Sequence, residues 1–229
     1  MMTINKFEEN MKPDTEILTG NPLFEGIRPE EIPDMLDCLQ ARTMKYEKNQ
    51  IIFSEGDLAE YVGILLTGSI FIMREDYFGN RHITTTLQAP ELFGEVFACA
   101  ETVLLPVSVI ACEDSMVMLL NCKKILTVCG NSCKFHNTLI HNLLKVIARK
   151  NLMLNKKLNI ITKRTTREKL MAFLMSEAKK NAAPAFTIPY NRQELADYLG
   201  VERSALSAEI SRLCREGVLE TKRSWFHIR

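Results

Sequence analysis

Residues 191–217 read NRQELADYLGVERSALSAEISRLCREG, two amphipathic runs with one glycine between them, and so short a break leaves the chain few ways to fold. Asn191 followed by Glu194 is the Asx form of a capping box, in which Asn191 accepts a backbone N–H and Glu194 reaches back, so a helix should begin there. Leu195, Ala196 and Leu199 supply a narrow apolar stripe, and Gly200 stands where a left-handed residue ends a helix. A second stripe, Leu206, Ile210 and Leu213, recurs at i, i+4, i+7 and leaves Arg203, Ser204, Ser207, Ser211, Arg212 and Arg215 on the opposite face. Two helices joined by a glycine turn form the helix-turn-helix arrangement, whose second helix enters the major groove by its N-terminal residues. The same pattern also fits a helical hairpin with a solvated face.

Charge favours the first reading. Residues 1–133 hold 10 Lys/Arg against 20 Asp/Glu, and residues 134–229 hold 19 against 8, so a chain of net charge +1 divides into halves of −10 and +11. No acid occurs between Asp114 and Glu168, a stretch with 11 basic residues, which suits a polyanion bound at one end. At 46% hydrophobic and 25% charged the composition is that of a globular protein, and 229 residues allow one large domain or two modest ones. No apolar run reaches the ~18 residues of a membrane span, and MMTINKFEEN is unlike a signal peptide; a cytoplasmic protein without membrane contact is expected.

The acidic half reads as strands. After a short helical entry around Pro29–Arg42, the segments QIIFSEGD, YVGILLTGSIFIMRED, NRHITTTLQAPELFGE and LLPVSVIACEDSMVMLL are rich in β-branched and aromatic residues and punctuated by glycine. Strands in series without intervening helices predict an antiparallel barrel or jelly roll, a shape that often encloses a small molecule. A long helix follows. With Asn137, Leu144, Asn151 and Leu158 at a, and Ile140, Ile147, Leu154 and Ile161 at d, six of eight seam positions are apolar. This predicts a dimer seam over Ile140, Leu144, Ile147, Asn151, Leu154, Leu158 and Ile161, with buried asparagine favouring two strands. Leu143 and Leu152, outside the seam, suggest that the helix also packs on the roll. Thr165-x-x-Glu168 is a second capping box, so residues 162–165 should form a hinge.

SEGD and LLTGSI in the roll, FGE at 93–95, and ELADYLGVERSALSAEISRLCREGVLE at 194–220 together resemble the CRP/FNR family of bacterial transcription regulators over roughly residues 20–229. The resemblance implies an α+β chain: an N-terminal antiparallel β-roll (double-stranded jelly roll), a long dimerisation helix and a C-terminal winged helix-turn-helix domain. Its divisions would be an effector-sensing roll over 1–133, a dimerisation helix over 134–162 and a DNA-binding domain over 163–229. VLETKRSWFHIR then looks like the family's wing, two short strands about Lys222-Arg223-Ser224. A homodimer would set its recognition helices in successive major grooves, about 34 Å apart, on a palindromic operator in double-stranded DNA. RNA polymerase is the further partner the resemblance implies.

Arg203 occupies the position where family members often carry the arginine that meets guanine, a contact whose bidentate geometry suits O6 and N7. Two departures, Ser204 and Ala208, stand where a glutamate and an arginine are common, so the half-site cannot be copied from the family. Arg212, Arg215, Lys222 and Arg223 are expected on phosphates. Ser207, which suits a base or a phosphate, joins Arg192, Ser204 and Ser211 in the DNA-facing set.

The resemblance also implies an effector site. In cyclic-nucleotide-binding relatives the segment after a Gly-Glu pair cradles the cyclic phosphate, closed by an Arg-Ser pair further along. Gly94 and Glu95 are present, but Leu105 and Pro106 stand at the Arg-Ser positions, and no residue from Glu95 to Ala111 is basic. On the long helix Leu154 and Asn155 align with the pair that reads the base. The expected pocket, Gly94, Glu95, Val96, Phe97, Leu105, Pro106, Val107, Asn151, Leu154 and Asn155, is mostly apolar and suits an unknown small-molecule effector that is not cyclic AMP. A constitutive or partner-controlled DNA-binding protein with a vestigial roll is the alternative. No cofactor or catalytic residue is expected. A metal-dependent cupin-like enzyme would need two or three histidines in the roll, where only His82 stands. Seven cysteines without framework spacing fit a reducing compartment. Cys129, Cys133 and nearby Cys122 suggest a redox or iron–sulfur sensor, but the N-terminal cysteine cluster of the family's oxygen sensor is absent, and core thiols are the simpler reading.

Overall fold

The computed structural model describes residues 15–75, 81–100, 104–127 and 134–229, and divides into two compact units, residues 1–148 and 149–229. Cys129 and Cys133 lie outside the described residues.

The first unit opens with α1 (Thr15–Thr19) and α2 (Ile32–Cys38), followed by β1 (Arg42–Tyr46), β2 (Ile51–Phe53), β3 (Tyr61–Thr67), β4 (Ser69–Glu75), β5 (Arg81–Gln88) and β6 (Leu92–Phe93). After α3 (Glu95–Cys99) come β7 (Ser108–Ala111), β8 (Ser115–Asn121) and α4 (Cys122–Leu126), and then the long helix α5 (Lys134–Ile161) begins. Two four-stranded sheets result, in the orders β1-β8-β3-β6 and β2-β7-β4-β5. Every strand pairing is antiparallel, giving the expected roll.

The runs VGILL and MVMLL are continuous rather than alternating because both faces of β3 and β8 are covered. Leu65, Val117 and Leu119 join Phe53, Ile70, Phe93 and Val109 in the cluster between the sheets. Val62, Ile64, Leu66, Met118 and Leu120 face the other way, into a cluster with Leu36 of α2, Ile125 of α4 and Leu139 and Leu143 of α5. Period two therefore decides the face while the sequence stays apolar throughout. Asn142 of α5, buried at this contact, donates to the carbonyls of Leu23 (3.0 Å) and Glu25 (2.7 Å).

The second unit contains the end of α5, then α6 (Thr166–Asn181), β9 (Ala185–Thr187), α7 (Arg192–Leu199), α8 (Arg203–Arg215), β10 (Leu219–Lys222) and β11 (Trp225–Ile228). Residues 162–165 interrupt the helices as expected. Thr165 Oγ1 accepts the Glu168 N–H (3.1 Å), and Glu168 accepts the Thr165 N–H (3.1 Å), completing the capping box. The sheet runs β10-β11-β9. Its core joins Leu170, Phe173 and Leu174 of α6 to Leu195, Leu206, Ile210, Leu213 and Phe226. Beyond the expected elements stand α1, α3, α4 and β9, each of three to five residues and too short to carry a readable period.

Candidate nucleic-acid interface

The start of α7 has the geometry its capping box predicts. Asn191 Oδ1 accepts the N–H groups of Gln193 (2.9 Å) and Glu194 (3.0 Å), and Glu194 Oε2 accepts the Asn191 N–H (2.7 Å). Gly200 ends the helix at φ 61°, a conformation that favours a residue without Cβ. Lys169 Nζ donates to the Gly200 carbonyl (3.3 Å), fixing the turn to α6.

Leu206, Ile210 and Leu213 bury the inner face of α8, while Arg203, Ser204, Ser207, Ser211, Arg212 and Arg215 are all exposed. Their side chains are not equally available. Ser211 Oγ donates to the Ser207 carbonyl (2.9 Å), and Arg212 Nη1 stands 3.3 Å from Glu209 Oε2. Among the described residues Arg203, Arg215, Lys222 and Arg223 make no ion pair. Lys222 and Arg223 sit at the tip of the β10–β11 hairpin, where Lys222 pairs with Trp225 and Arg223 adopts φ 54°. The chain's single tryptophan, Trp225, is exposed beside them. Sequence reasoning passed over it.

Arg192 differs from the rest of the DNA-facing set. Its Nη2 donates to Thr221 Oγ1 (3.1 Å), and its guanidinium lies 4.9 Å from the Phe226 ring centroid, where burial draws its pKa down. Thr221 Oγ1 in turn donates to the Trp225 carbonyl (2.8 Å). The side chain therefore links α7 to the wing.

Arg167, which sequence reasoning missed, holds α8 from behind. Arg167, in the first turn of α6, donates twice to Glu216 (3.0 and 2.6 Å) and lies 3.6 Å from the buried Glu209. A signal was available, since Glu209 is a carboxylate on an otherwise apolar stripe. The hydrogen bond from Arg167 holds the Glu216 carboxyl below its ordinary 4.5. A depressed folded-state pKa contributes stability that is present above 4.5 and is lost as pH falls through the lowered value. Glu216→Gln should therefore lower the melting temperature near neutrality, and its difference from wild type should shrink in melts below 4.5; a difference independent of pH would mean that the charge contributes nothing.

Of the expected effector residues, Gly94 to Val107 lie in the first unit and Asn151, Leu154 and Asn155 in the second. Gly94 adopts φ 76° immediately before α3, and a Cβ there would meet the Tyr61 carbonyl at 3.2 Å. The turn itself thus demands glycine. Glu95 is buried, Val96 exposed and Phe97 half-buried. Leu105 and Val107 are buried, Leu105 within the cluster between the sheets, and Pro106 is half-buried. The Leu105 N–H donates to the Asp57 carbonyl (2.8 Å) and its own carbonyl accepts from Gly56 (2.9 Å).

Along α5, Leu144, Leu154 and Leu158 are 63%, 59% and 47% exposed, with Leu152 and Met153 exposed beside them. Leu143 is buried in the roll's helical cluster, against which Ile147 packs; Ile140 and Ile161 are half-buried. Asn151 is exposed, and its Oδ1 accepts from Asn155 Nδ2 (2.7 Å). No helix among the described residues is long and apolar enough to cross a membrane.

Comparison with known proteins agrees with this architecture. The family model for the cyclic nucleotide-binding domain matches residues 43–132, and that for the Crp-like helix-turn-helix domain matches residues 168–229. The cyclic AMP receptor protein of Thermus thermophilus is 27% identical over 202 residues, covering 88% of this chain and 89% of that protein. The crystal structure of the Thermus thermophilus catabolite activator protein is similar with a TM-score of 0.53 and 25% identity, covering 91% of this chain and 94% of that one. The c-di-GMP responsive global regulator CLP of Xanthomonas campestris shares the fold at 15% identity, with a TM-score of 0.56 over 88% of this chain and 99% of its own.

Proposed function

Because the chain belongs to the CRP/FNR family of transcription regulators, we propose that it acts as a homodimer on a palindromic DNA site and answers to a small molecule other than cyclic AMP. The observation that carries the DNA reading is the outer face of α8: exposed, small and polar, free of acids, with Arg203 at its first turn unpaired among the described residues. Arg203 reads a base and Ser207 supports it. Arg215, Lys222 and Arg223 hold phosphates, with Arg212 shared between phosphate and Glu209. The protein works in the cytoplasm, is not an enzyme, and meets RNA polymerase at the promoter.

Exposed Leu144, Leu154 and Leu158 on one long helix support the dimer, because leucine left in water on a helix face forgoes roughly 1.5–3 kcal/mol per side chain. A second copy of α5 covers them. The direct test is a gel shift on a palindrome and on its isolated half-site across a salt series. A dimer with several phosphate contacts loses affinity steeply and linearly in log salt and prefers the intact palindrome. Equal affinity for half-site and palindrome would refute the dimeric reading.

The seam carries its own prediction. Asn151 Oδ1 is taken by Asn155, which leaves the Asn151 amide donor for the partner helix. Asn151→Leu should strengthen helix association while loosening register or oligomer choice. Thermal melts and light scattering measure both. A variant that is less stable and still uniformly dimeric would place the role of Asn151 outside the seam.

The effector reading rests on Leu105 and Pro106. An apolar side chain and an imide nitrogen leave no cation or donor where a cyclic phosphate would need both. An uncharged or apolar effector suits Val96, Phe97 and Val107. Mass spectrometry of small molecules retained by the natively purified protein would identify it.

A further inference from the structure

We propose that Cys99 and Cys122 form a dithiol oxidation site, with Cys99 as the peroxide-reactive thiol and Cys122 as the resolving one. The two sulfurs lie 3.5 Å apart, although the residues are 23 positions apart in the chain and on different elements. Cys99 is the last residue of α3 and Cys122 the first of α4. Their exposures divide the roles: Cys99 is half-buried and reachable, whereas Cys122 is buried in the roll's helical core.

The Cys122 hydrogen bond draws the Cys99 thiol below its ordinary pKa, outweighing desolvation and the Glu95 carboxylate, both of which push it up. A larger thiolate fraction at the accessible sulfur favours attack by oxidants. Closing the pair to a disulfide needs an approach of about 1.5 Å, from 3.5 Å to about 2.05 Å. The moving part is α3, a five-residue helix without a side-chain N-cap, which yields more easily than a strand inside a sheet.

The oxidant is a hydroperoxide. The Cys99 thiolate attacks one peroxide oxygen, so that a sulfur–oxygen bond forms, the O–O bond breaks, and the thiol's proton leaves with the alcohol, or with water when the oxidant is hydrogen peroxide. Cys122 sulfur then displaces hydroxide from the Cys99 sulfenic acid; the S–S bond forms and water departs with the Cys122 proton. Two thiols lose two electrons and one peroxide gains them. The product ties α3, and with it the turn at Gly94–Glu95, to α4.

Peptide mapping of the full-length protein tests this. Trypsin alone leaves Cys99, Cys112 and Cys122 in one peptide, but adding a glutamyl endopeptidase separates them, with Cys99 in 96–101 and Cys122 in 114–123. After hydrogen peroxide and alkylation under non-reducing conditions, these two peptides should be recovered joined, two hydrogens lighter than their sum. Amide exchange over 95–100 should slow on oxidation. Cys122→Ser should leave Cys99 as a sulfenic acid that dimedone captures. Recovery of both cysteines as free thiols from the wild-type protein under excess peroxide, or of Cys99 joined to another cysteine or to a second copy, would overturn the assignment.

Discussion

Cyclic AMP is expected to bind this chain roughly two to four orders of magnitude more weakly than a roll that keeps the Arg-Ser pair, since charge-assisted hydrogen bonds are worth ~1.5–3 kcal/mol each and at least two are missing. The local structure removes the obvious substitutes. Leu105 points into the core between the sheets, and its N–H and carbonyl are both spent on the Gly56–Asp57 turn. Pro106 has no N–H to give. A phosphate placed there would lose its water and find neither a cation nor a donor from these two residues. The Gly94-Glu95 pair does not argue otherwise, because φ 76° and the nearby Tyr61 carbonyl require glycine whether or not a ligand is bound. Titration calorimetry with cyclic AMP and cyclic GMP, paired with DNA binding in the presence of each, measures the outcome. A micromolar dissociation constant coupled to tighter DNA binding would defeat this reading.

Arg203→Ala should cost ~1–3 kcal/mol at the cognate site, about 5- to 150-fold in affinity, while leaving non-specific binding nearly unchanged. The expectation depends on position. Arg203 opens α8, is exposed, and forms no ion pair among the described residues, so its guanidinium is free to meet a base edge as a fork. Arg215→Ala is the internal contrast. A phosphate contact should weaken cognate and scrambled DNA alike and reduce the salt slope by about one. Competition gel shifts report both variants. Equal losses on both DNAs for Arg203→Ala would demote it to a phosphate contact.

The features legible in the sequence are those whose physics is local. Two capping boxes, a left-handed glycine and an i, i+4, i+7 stripe involve residues within one or two turns of each other, so α7, α8 and the start of α6 could be read directly. The strand-rich character of the first half was readable for the same reason, whereas the hairpin at Lys222–Trp225 was expected from the family resemblance. Long-range pairing decided the rest. The second sheet covers Val117 and Leu119 while α2, α4 and α5 cover Met118 and Leu120, and only that packing explains why MVMLL is buried on both faces. Arg192 and Arg203 look alike as charges in one motif, yet Phe226 and Thr221, far along the chain, take the first into the wing's packing and leave the second exposed. The Arg167–Glu216 clamp spans 49 positions and the Cys99–Cys122 contact 23. By itself, then, the sequence determined which of the longer segments become helix, strand and turn, because backbone geometry answers to near neighbours, while α1, α3, α4 and β9 were too short to read. Only the tertiary structure decided which charged or sulfur-bearing side chains remain available, because that depends on what distant segments bring against them.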